Sequence, residues 1–229
     1  MHCVGKMKNT LSPMFAALAL TAALAAPAQA QEDPVTGNAQ AGSAKIAMCI
    51  GCHGIVGYKS SFPEVYRVPK ISGQNAQYIE LVLEGYRKAD RKHPSMRGIA
   101  GSLTDQDIAD VAAYYASHAE TRADLPTPPA PRSNKVADLL QRGACVSCHG
   151  ENYSSPIDPS YPKLAGQHPD YLYAALKAYR DDSHATWGRA NPIMAGMVKQ
   201  FSNPELKLIA QYIGSLPGEL QTIPQSKFR

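Results

Sequence analysis

Two copies of the pattern Cys-x-x-Cys-His-Gly stand 96 residues apart in this chain of 229 residues, and they constrain its fold more than any other feature. The copies begin at residues 49 and 145. The chain holds only five Cys and seven His, so chance would give about 0.003 matches to Cys-x-x-Cys-His in this length. Two matches therefore indicate one repeated chemical function.

Several chemistries use paired cysteines, and the spacing separates them. A zinc ribbon places its two Cys-x-x-Cys pairs about 15 to 20 residues apart, much closer than the pairs in this chain. A thioredoxin-like dithiol uses a single pair and does not need the adjacent His. Structural disulfides are common in exported proteins, but cysteines at i and i+3 on one helical turn rarely bridge.

Covalent attachment of c-type haem accounts for every residue of the pattern. Two thiols one helical turn apart can each add to a vinyl group of the same porphyrin, and the next imidazole then ligates the iron. The sequence thus predicts two covalently bound haem c groups. The predicted attachment residues are Cys49, Cys52, Cys145 and Cys148. The predicted proximal ligands are His53 and His149.

The N-terminus has the features of a secretory signal peptide, assigned to residues 1–30. Lys6 and Lys8 precede an apolar run over residues 11–26, and Ala28-Gln29-Ala30 provides a small-x-small cleavage site. Cys3 would leave with this segment. No later stretch approaches about 18 apolar residues, so we expect a soluble, exported, periplasmic protein with no integral membrane segment after cleavage.

The charge of the chain excludes one class of partner. The net charge is +4, and removal of Lys6 and Lys8 with the signal peptide leaves +2. Such a small excess is too little for a nucleic-acid binder, and we expect no nucleic-acid partner.

The region after the signal peptide is an internal duplication. Val-Pro-Lys-Ile-Ser-Gly-Gln at 68–74 recurs as Tyr-Pro-Lys-Leu-Ala-Gly-Gln at 161–167. We predict an N-terminal domain over residues 38–120 and a C-terminal domain over residues 135–217. Between them, residues 121–134 contain four prolines and predict a stiff, extended linker.

The strongest periodic signals in each repeat are helical, and they predict an all-α fold without convincing strands. The last helix of each repeat has apolar residues at i, i+3, i+4 and i+7. The middle helix of each repeat has the same spacing of apolar residues. These faces are Ile108, Val111, Ala112 and Tyr115; Leu206, Ile209, Ala210 and Ile213; Ile79, Val82, Leu83 and Tyr86; and Leu172, Ala175, Leu176 and Tyr179. Thr104 with Asp107 and Ser202 with Glu205 predict a capping box at the start of each last helix.

Each iron needs a sixth ligand or an open position. Alignment of the repeats places Met96 opposite Met194, 43 and 45 residues beyond their histidines. Methionine sulfur is a soft ligand that favours ferrous iron, so both are predicted as axial ligands. Met197 competes in the second repeat but aligns with Ile99, a packing position. His93 and His184 lie in corresponding loops, which leaves bis-histidine ligation as the alternative.

On these motifs the chain resembles a dihaem class I cytochrome c of the cytochrome c4 family, over nearly all of residues 38–216. The resemblance implies two tandem domains packed about a pseudo-twofold axis, with haem propionates near their interface. It also implies that the carbonyls of Pro69 and Pro162 accept the proximal-histidine protons. Such proteins carry electrons in the bacterial periplasm, typically from a quinol-oxidising complex to terminal oxidases.

We therefore expect an electron-transfer protein without catalytic residues, whose partners are redox proteins. One alternative is a cytochrome subunit tightly bound to a periplasmic dehydrogenase, and another is a dihaem peroxidase. The matching methionines argue against the peroxidase, which needs an open or displaceable position at one iron. The segment 58–67 departs from the family pattern, as does 186–189. The basic residues between 87 and 92 either steer an acidic partner or form a solvated helix end.

Overall fold

A computed structural model describes residues 35–119, 125–131 and 133–225 of the chain. In these residues the chain forms ten helices, which repeat as two sets of five and confirm the all-α prediction. The first set is α1 (Ala39–Ser43), α2 (Ala47–His53), α3 (Ala76–Lys88), α4 (Pro94–Gly101) and α5 (Asp105–Ala116). The second set is α6 (Asn134–Gly143), α7 (Val146–His149), α8 (Pro169–Arg180), α9 (Pro192–Lys199) and α10 (Asn203–Ser215).

Two predicted segments fall wholly or partly outside the described residues. The signal peptide assigned to residues 1–30 lies outside them. Of the predicted linker, residues 125–131 have neither helix nor strand, and the Tyr212 hydroxyl donates to the Pro129 carbonyl at 2.9 Å. No helix in the described ranges is long and apolar enough to cross a bilayer.

Each set of helices has its own hydrophobic core, built on the predicted apolar faces. All four predicted positions of α5 and all four of α10 are buried. The α3 positions Ile79, Leu83 and Tyr86 are buried against α5, whereas Leu172 and Ala175 of α8 are buried against α10. The 3.6-residue period in the sequence therefore located both cores.

Polar contacts fix the first and last helices of the first set against each other. The carboxylate of Asp110, 2% exposed, accepts hydrogen bonds from the Asn38 amide at 2.8 Å and from Lys45 Nζ at 2.7 Å. Gly42 lets the backbones approach, since a Cβ there would lie 2.1 Å from the Asp110 carbonyl oxygen. This pairing of α1 with α5 holds α2, which follows α1 directly, in a fixed position.

Both capping boxes are present. The Asp107 carboxylate accepts from the Thr104 amide at 3.0 Å, and the Glu205 carboxylate accepts from the Ser202 amide at 2.8 Å. Glu205 also accepts from Arg142 of α6 at 2.9 Å. These contacts satisfy free amides at the starts of α5 and α10.

Glu205 gives the holoprotein a pH dependence that Glu205→Gln should remove. Hydrogen bonds from Ser202, followed by that from Arg142, lower the pKa of Glu205 to about 2 from its usual 4.5. The stabilisation is therefore complete above the unfolded pKa and is lost as pH falls toward the folded one. Thermal unfolding should show wild type more stable near neutrality and the two proteins converging near pH 2. A difference that stays constant across this range would contradict the assignment.

Although no convincing strands were expected, two antiparallel ladders of two residues each are present among the described residues. β1 (Lys59–Ser60) pairs with β2 (Tyr66–Arg67) and makes a hairpin of the divergent segment 58–67. β3 (Arg91–Lys92) pairs with β4 (Gly188–Arg189), with Arg91 directly opposite Arg189. Strands this short carry no period-2 signal, and the partners in the β3–β4 ladder are also distant in sequence.

The repeated Pro-Lys-aliphatic-x-Gly-Gln segments join the two sets of helices. Gln167 accepts from the Lys70 amide at 3.0 Å and donates to the Lys70 carbonyl at 2.9 Å. Its repeat equivalent, Gln74, accepts from the Lys163 amide at 2.9 Å and donates to the Lys163 carbonyl at 3.0 Å. Because equivalent residues exchange equivalent bonds, the two halves are related by a pseudo-twofold axis.

Replacing Gln167 by alanine should weaken the docking of the two halves. Gln167 is 4% exposed, and its loss leaves a partly buried amide and a partly buried carbonyl of Lys70 unpaired, at a cost of about 1–3 kcal/mol. Urea unfolding of the holoprotein should therefore shift to lower denaturant. Gln141→Ala, on the exposed side of α6, is the matched control. A loss no greater than that of the control would show that the exchanged bonds do not stabilise the interface.

Candidate functional site

The two short helices α2 and α7 position the Cys-x-x-Cys-His motifs. Cys49, Cys52 and His53 all lie within α2, whereas Cys145 is the N-cap residue of α7 and Cys148 and His149 lie inside it. In each motif the two thiols are therefore one helical turn apart. This spacing is the one that two bonds to a single planar group require.

The glycine that follows each histidine is needed for a local reason. At Gly54 a Cβ would lie 2.8 Å from the Ile50 carbonyl oxygen. Gly150 has φ of +78°, and a Cβ there would lie 2.1 Å from the Ser155 carbonyl oxygen. The residue after each histidine must therefore be a glycine, and the two glycines have different backbone conformations.

Both histidines are oriented by proline carbonyls, as the resemblance implied. His53 Nδ1 lies 2.8 Å from the Pro69 oxygen, and His149 Nδ1 lies 3.0 Å from the Pro162 oxygen. A carbonyl only accepts, so Nδ1 must carry the proton and Nε2 keeps its lone pair. Burial lowers the pKa of both histidines, which outweighs the opposing effect of these hydrogen bonds. Each imidazole is therefore neutral and fixed in the tautomer that binds a metal through Nε2.

Met96 and Met194 occupy the same position on equivalent helices. Each is the third residue of a helix that begins with proline, α4 or α9. The N-cap side chains accept from their amides: His93 from Met96 at 3.5 Å and Asn191 from Met194 at 2.9 Å. Both thioethers pack at the margin of a hydrophobic core, Met96 in the first set and Met194 in the second.

The structure also places the competing residues. Met197 lies one turn beyond Met194, at the helix position that Ile99 takes in α4. The His184 side chain is exposed, where it stacks on Trp187 at 4.1 Å and contacts Asp181 at 3.3 Å. His93 is the N-cap of α4, with Nδ1 turned toward the Met96 amide. These positions favour methionine over histidine.

One cavity of about 870 Å³ connects all eight predicted site residues. This volume is at the upper end of the range for ligand sites. Apolar side chains from both halves form much of its wall. Lining residues from the first half include Ile79, Val82, Leu83 and Ile99, and those from the second include Leu172, Ala175, Leu176 and Ile213.

The residues around this cavity fit two covalently held haem groups. Each half supplies two thiols, a neutral imidazole and a thioether facing the same space. Nitrogen and soft sulfur are the donors that low-spin haem iron takes. Apolar walls suit a porphyrin face, and two buried or partly buried arginines, Arg91 and Arg189, suit acidic groups at its edge.

Arg91 was missed by the sequence interpretation. It was grouped with Arg87, Lys88 and Lys92 as a basic run that either steers a partner or is solvated, but it is only 9% exposed. The other three bond differently: Arg87 pairs with Asp105 at 2.6 Å, Lys88 pairs with Glu84 at 2.8 Å, and Lys92 donates to the His184 carbonyl at 3.0 Å. The repeat alignment held a signal, because a second arginine, Arg189, precedes Met194 at a similar distance.

Comparison with known proteins identifies the family of this chain. The cytochrome c family model matches residues 39–119 and, a second time, 133–217. Cytochrome c4 of Azotobacter vinelandii is 31% identical over 199 residues, which cover 79% of this chain and 90% of that protein. The thiosulfate dehydrogenase electron acceptor of Stutzerimonas stutzeri is 30% identical over 203 residues, covering 80% of this chain and 85% of that protein.

A solved structure extends this agreement to the fold. Reduced recombinant cytochrome c4 from Pseudomonas stutzeri superposes with a TM-score of 0.58 at 27% identity, over 80% of this chain and 100% of that one. The fold and the duplicated motifs define a dihaem electron-transfer cytochrome c, in which two tandem domains bind covalently attached haem c. The chain belongs to the cytochrome c4 family.

Proposed function

We propose that this protein is a periplasmic electron carrier whose two haems are each held by two thioethers, one histidine and one methionine. The attachment residues are Cys49 and Cys52 in the first domain and Cys145 and Cys148 in the second. The axial pairs are His53 with Met96 and His149 with Met194. The observation that carries the proposal is that these eight residues, predicted from the repeated motif and from alignment of the repeats, all line one cavity.

Haem iron supplies the chemistry, a reversible one-electron change between ferric and ferrous states. The protein residues keep the geometry constant during that change. The Pro69 and Pro162 carbonyls fix the imidazoles, and the N-cap contacts fix the starts of α4 and α9, which carry the methionines. A site that moves little on electron transfer has a small reorganisation energy, which suits a carrier.

The proposed role does not include substrate turnover. An enzyme such as a dihaem peroxidase needs one iron with an open or displaceable position. Met96 and Met194 are equivalent in helix position, capping and packing, so neither domain is set apart as a reaction site. The apolar lining around both methionines favours retention of a thioether over entry of a polar substrate.

The proposed partners are a respiratory donor complex that oxidises quinol and a terminal oxidase or reductase. The similarity to cytochromes c4 over four-fifths of the chain supports this route. The 30% identity to a thiosulfate dehydrogenase electron acceptor, over 80% of this chain, supports a second candidate, in which a periplasmic dehydrogenase is the donor. The predicted signal peptide supports the periplasmic location of either route.

A redox titration of the purified holoprotein, followed by visible spectroscopy, tests the proposal. We expect two haems per chain, two one-electron steps and the spectrum of histidine–methionine ligation in both. Carbon monoxide should bind the ferrous protein slowly or not at all. Potentials typical of bis-histidine haem would overturn the ligand set, and rapid binding of carbon monoxide or peroxide would overturn the carrier role.

Purified partners separate the two candidate donors. Reduction by a quinol-oxidising membrane complex should be fast and saturable if the protein works in the respiratory chain. Faster reduction by thiosulfate dehydrogenase with thiosulfate, or its co-purification with the cytochrome, would favour the dehydrogenase route instead.

A further inference from the structure

The two domains differ in chemistry at the last position of the apolar face of their final helices, where α5 has Tyr115 and α10 has Ile213. Alignment of the repeats places these residues opposite each other, and both are buried and line the cavity. The tyrosine brings a hydroxyl to a position that is aliphatic in the second domain. The core tyrosine of the second domain, Tyr153, comes from a loop and does not line the cavity. The Tyr115 hydroxyl therefore distinguishes the two haem sites.

Contacts of both the backbone and the ring hold Tyr115 in place. Its carbonyl accepts a hydrogen bond from the Gly73 amide at 2.9 Å. Its ring packs edge-on against that of Tyr114, with the ring centroids 5.2 Å apart. The whole residue is only 4% exposed. Because the backbone and the ring are both fixed, the hydroxyl stays in the interior instead of turning toward water.

The hydroxyl of Tyr115 lacks a partner. It is buried and makes no hydrogen bond to any of the described residues. Buried hydroxyls in folded proteins are nearly always hydrogen-bonded, since a buried donor without an acceptor has lost its bonds to water. Tyr115 lines the cavity that is proposed above to hold the first haem. The missing acceptor therefore belongs to the haem or to its attachment.

Cys49 is the attachment residue beside this hydroxyl. The two side chains pack in the same hydrophobic cluster. Burial raises the pKa of Tyr115, and the neighbouring Cys49 raises it further. Once Cys49 is joined to a porphyrin, its sulfur is a thioether, which keeps lone pairs and accepts hydrogen bonds. The propionates of a porphyrin lie at the edge opposite its vinyl groups, so the sulfur is the acceptor that haem attachment brings to Tyr115.

We propose that the Tyr115 hydroxyl donates a hydrogen bond to the thioether sulfur of Cys49 and thereby raises the reduction potential of the first haem. The inference rests on the first haem site proposed above. The donated hydrogen places partial positive charge beside the porphyrin, which favours the electron-rich ferrous state. Ile213 has no proton to donate, so the last helix of the second domain gives its haem no such stabilisation. Two haems with the same proposed ligands thus acquire different potentials.

Tyr115→Phe in the full-length holoprotein tests this, because it removes the hydroxyl and keeps the ring. We expect the equilibrium constant for reduction of the first haem to fall about twofold, equivalent to about 18 mV at 59 mV per tenfold. The second haem should not change. The carbon–sulfur stretching band of the first attachment should shift in the resonance Raman spectrum, which loss of packing alone does not produce. The redox step that moves in Met96→Ala identifies the first haem.

Tyr114→Phe is the matched control. Tyr114 precedes Tyr115 on α5, but it does not line the cavity, and its hydroxyl accepts from Gln225 Nε2 at 3.3 Å. This variant should leave both potentials and the Raman band unchanged. An equal shift in Tyr114→Phe, a shift of both potentials in Tyr115→Phe, or no shift in Tyr115→Phe would each overturn the proposal. If Tyr115→Phe fails to accumulate, wild type in heavy water carries the test, since exchange of the hydroxyl proton should shift the same band.

The same variant shows whether Cys49 is the acceptor. If Tyr115→Phe displaced the charge-transfer band of sulfur-ligated ferric haem, the hydroxyl would bond to the Met96 sulfur, and the assignment to Cys49 would be overturned. If the variant were more stable than wild type and its potentials unchanged, the hydroxyl would have no partner in the holoprotein. Haem content of wild type by mass spectrometry separates these outcomes from failure of the proposed function, since that failure concerns the presence of haem rather than its potential.

Discussion

Met96→Ala should lower the reduction potential of the first haem by roughly 0.1 V or more, a fraction of the about 0.8 V that axial ligands span. Thioether sulfur stabilises ferrous iron, and water or a nitrogen ligand in its place does so less. The charge-transfer band of sulfur-ligated ferric haem should fall to half its intensity in this two-haem protein. Met194→Ala should produce the same result at the second haem. Spectroscopy and redox titration of each variant measure both effects.

Met197→Ala is the matched control for Met194→Ala. Both thioethers line the cavity, but Met197 stands one turn later on α9 and corresponds to Ile99 rather than to Met96. Its substitution should preserve the sulfur band and both potentials, with a modest loss of stability from packing. Loss of the band in Met197→Ala and its retention in Met194→Ala would reverse the ligand assignment in the second domain.

The sequence was sufficient to predict the structural features that recur in both repeats or that follow the helical period. The apolar faces of α5 and α10 and both capping boxes follow from local spacing, which depends only on the geometry of a single helix. The four cysteines, two histidines and two methionines emerged from motif chemistry and from alignment of the repeats. Repetition was decisive for Met96 and Met194, because a lone methionine is ordinarily a packing residue.

The contacts between the domains could not be obtained in this way. The β3–β4 ladder joins residues almost 100 positions apart with two residues per strand, too few to show a period. Arg91 has the composition of a surface residue, and only the fold shows that it is buried. Gln74 and Gln167 were visible as part of a repeated motif, but their exchange of bonds with Lys163 and Lys70 depends on the relative position of the domains.

The domain contacts of the segment 58–67 could not be predicted from the sequence either. The sequence identified it as a departure from the family pattern, and the structure gives it a role in domain contact. Its hairpin carries Arg67 to Asp170 and Glu64 to Lys177, the latter pair at 2.5 Å. Contacts between the two domains form only when both chain segments have folded. The local sequence of either segment therefore does not predict them.

Removing the attachment cysteines of one domain, Cys145→Ala with Cys148→Ala, should abolish cooperative folding of that domain. A chain folded without haem must keep a cavity of about 870 Å³, so the second domain loses the apolar contacts that haem would make with its half of the wall, as a core does when a large side chain is removed. A typical domain has only about 5–15 kcal/mol of stability in total. Helical circular dichroism of the variant should therefore decrease, and its mass should show one haem instead of two.

Ser147→Ala is the control, since Ser147 lies between the two cysteines and its hydroxyl bonds within the same turn, to the Ala144 carbonyl at 2.7 Å and more weakly to Cys148 Sγ at 3.9 Å. This variant should carry two haems and unfold at the wild-type midpoint within about 0.5 kcal/mol. The expected loss in the cysteine variant is specific to the second core, because Cys145 and Met194 pack against the cluster that contains Leu139, Phe201 and Leu206. If the cysteine variant kept full helicity and an unchanged unfolding midpoint, the polypeptide would form this core without haem. Haem would then not be part of the stabilising interior of the domain.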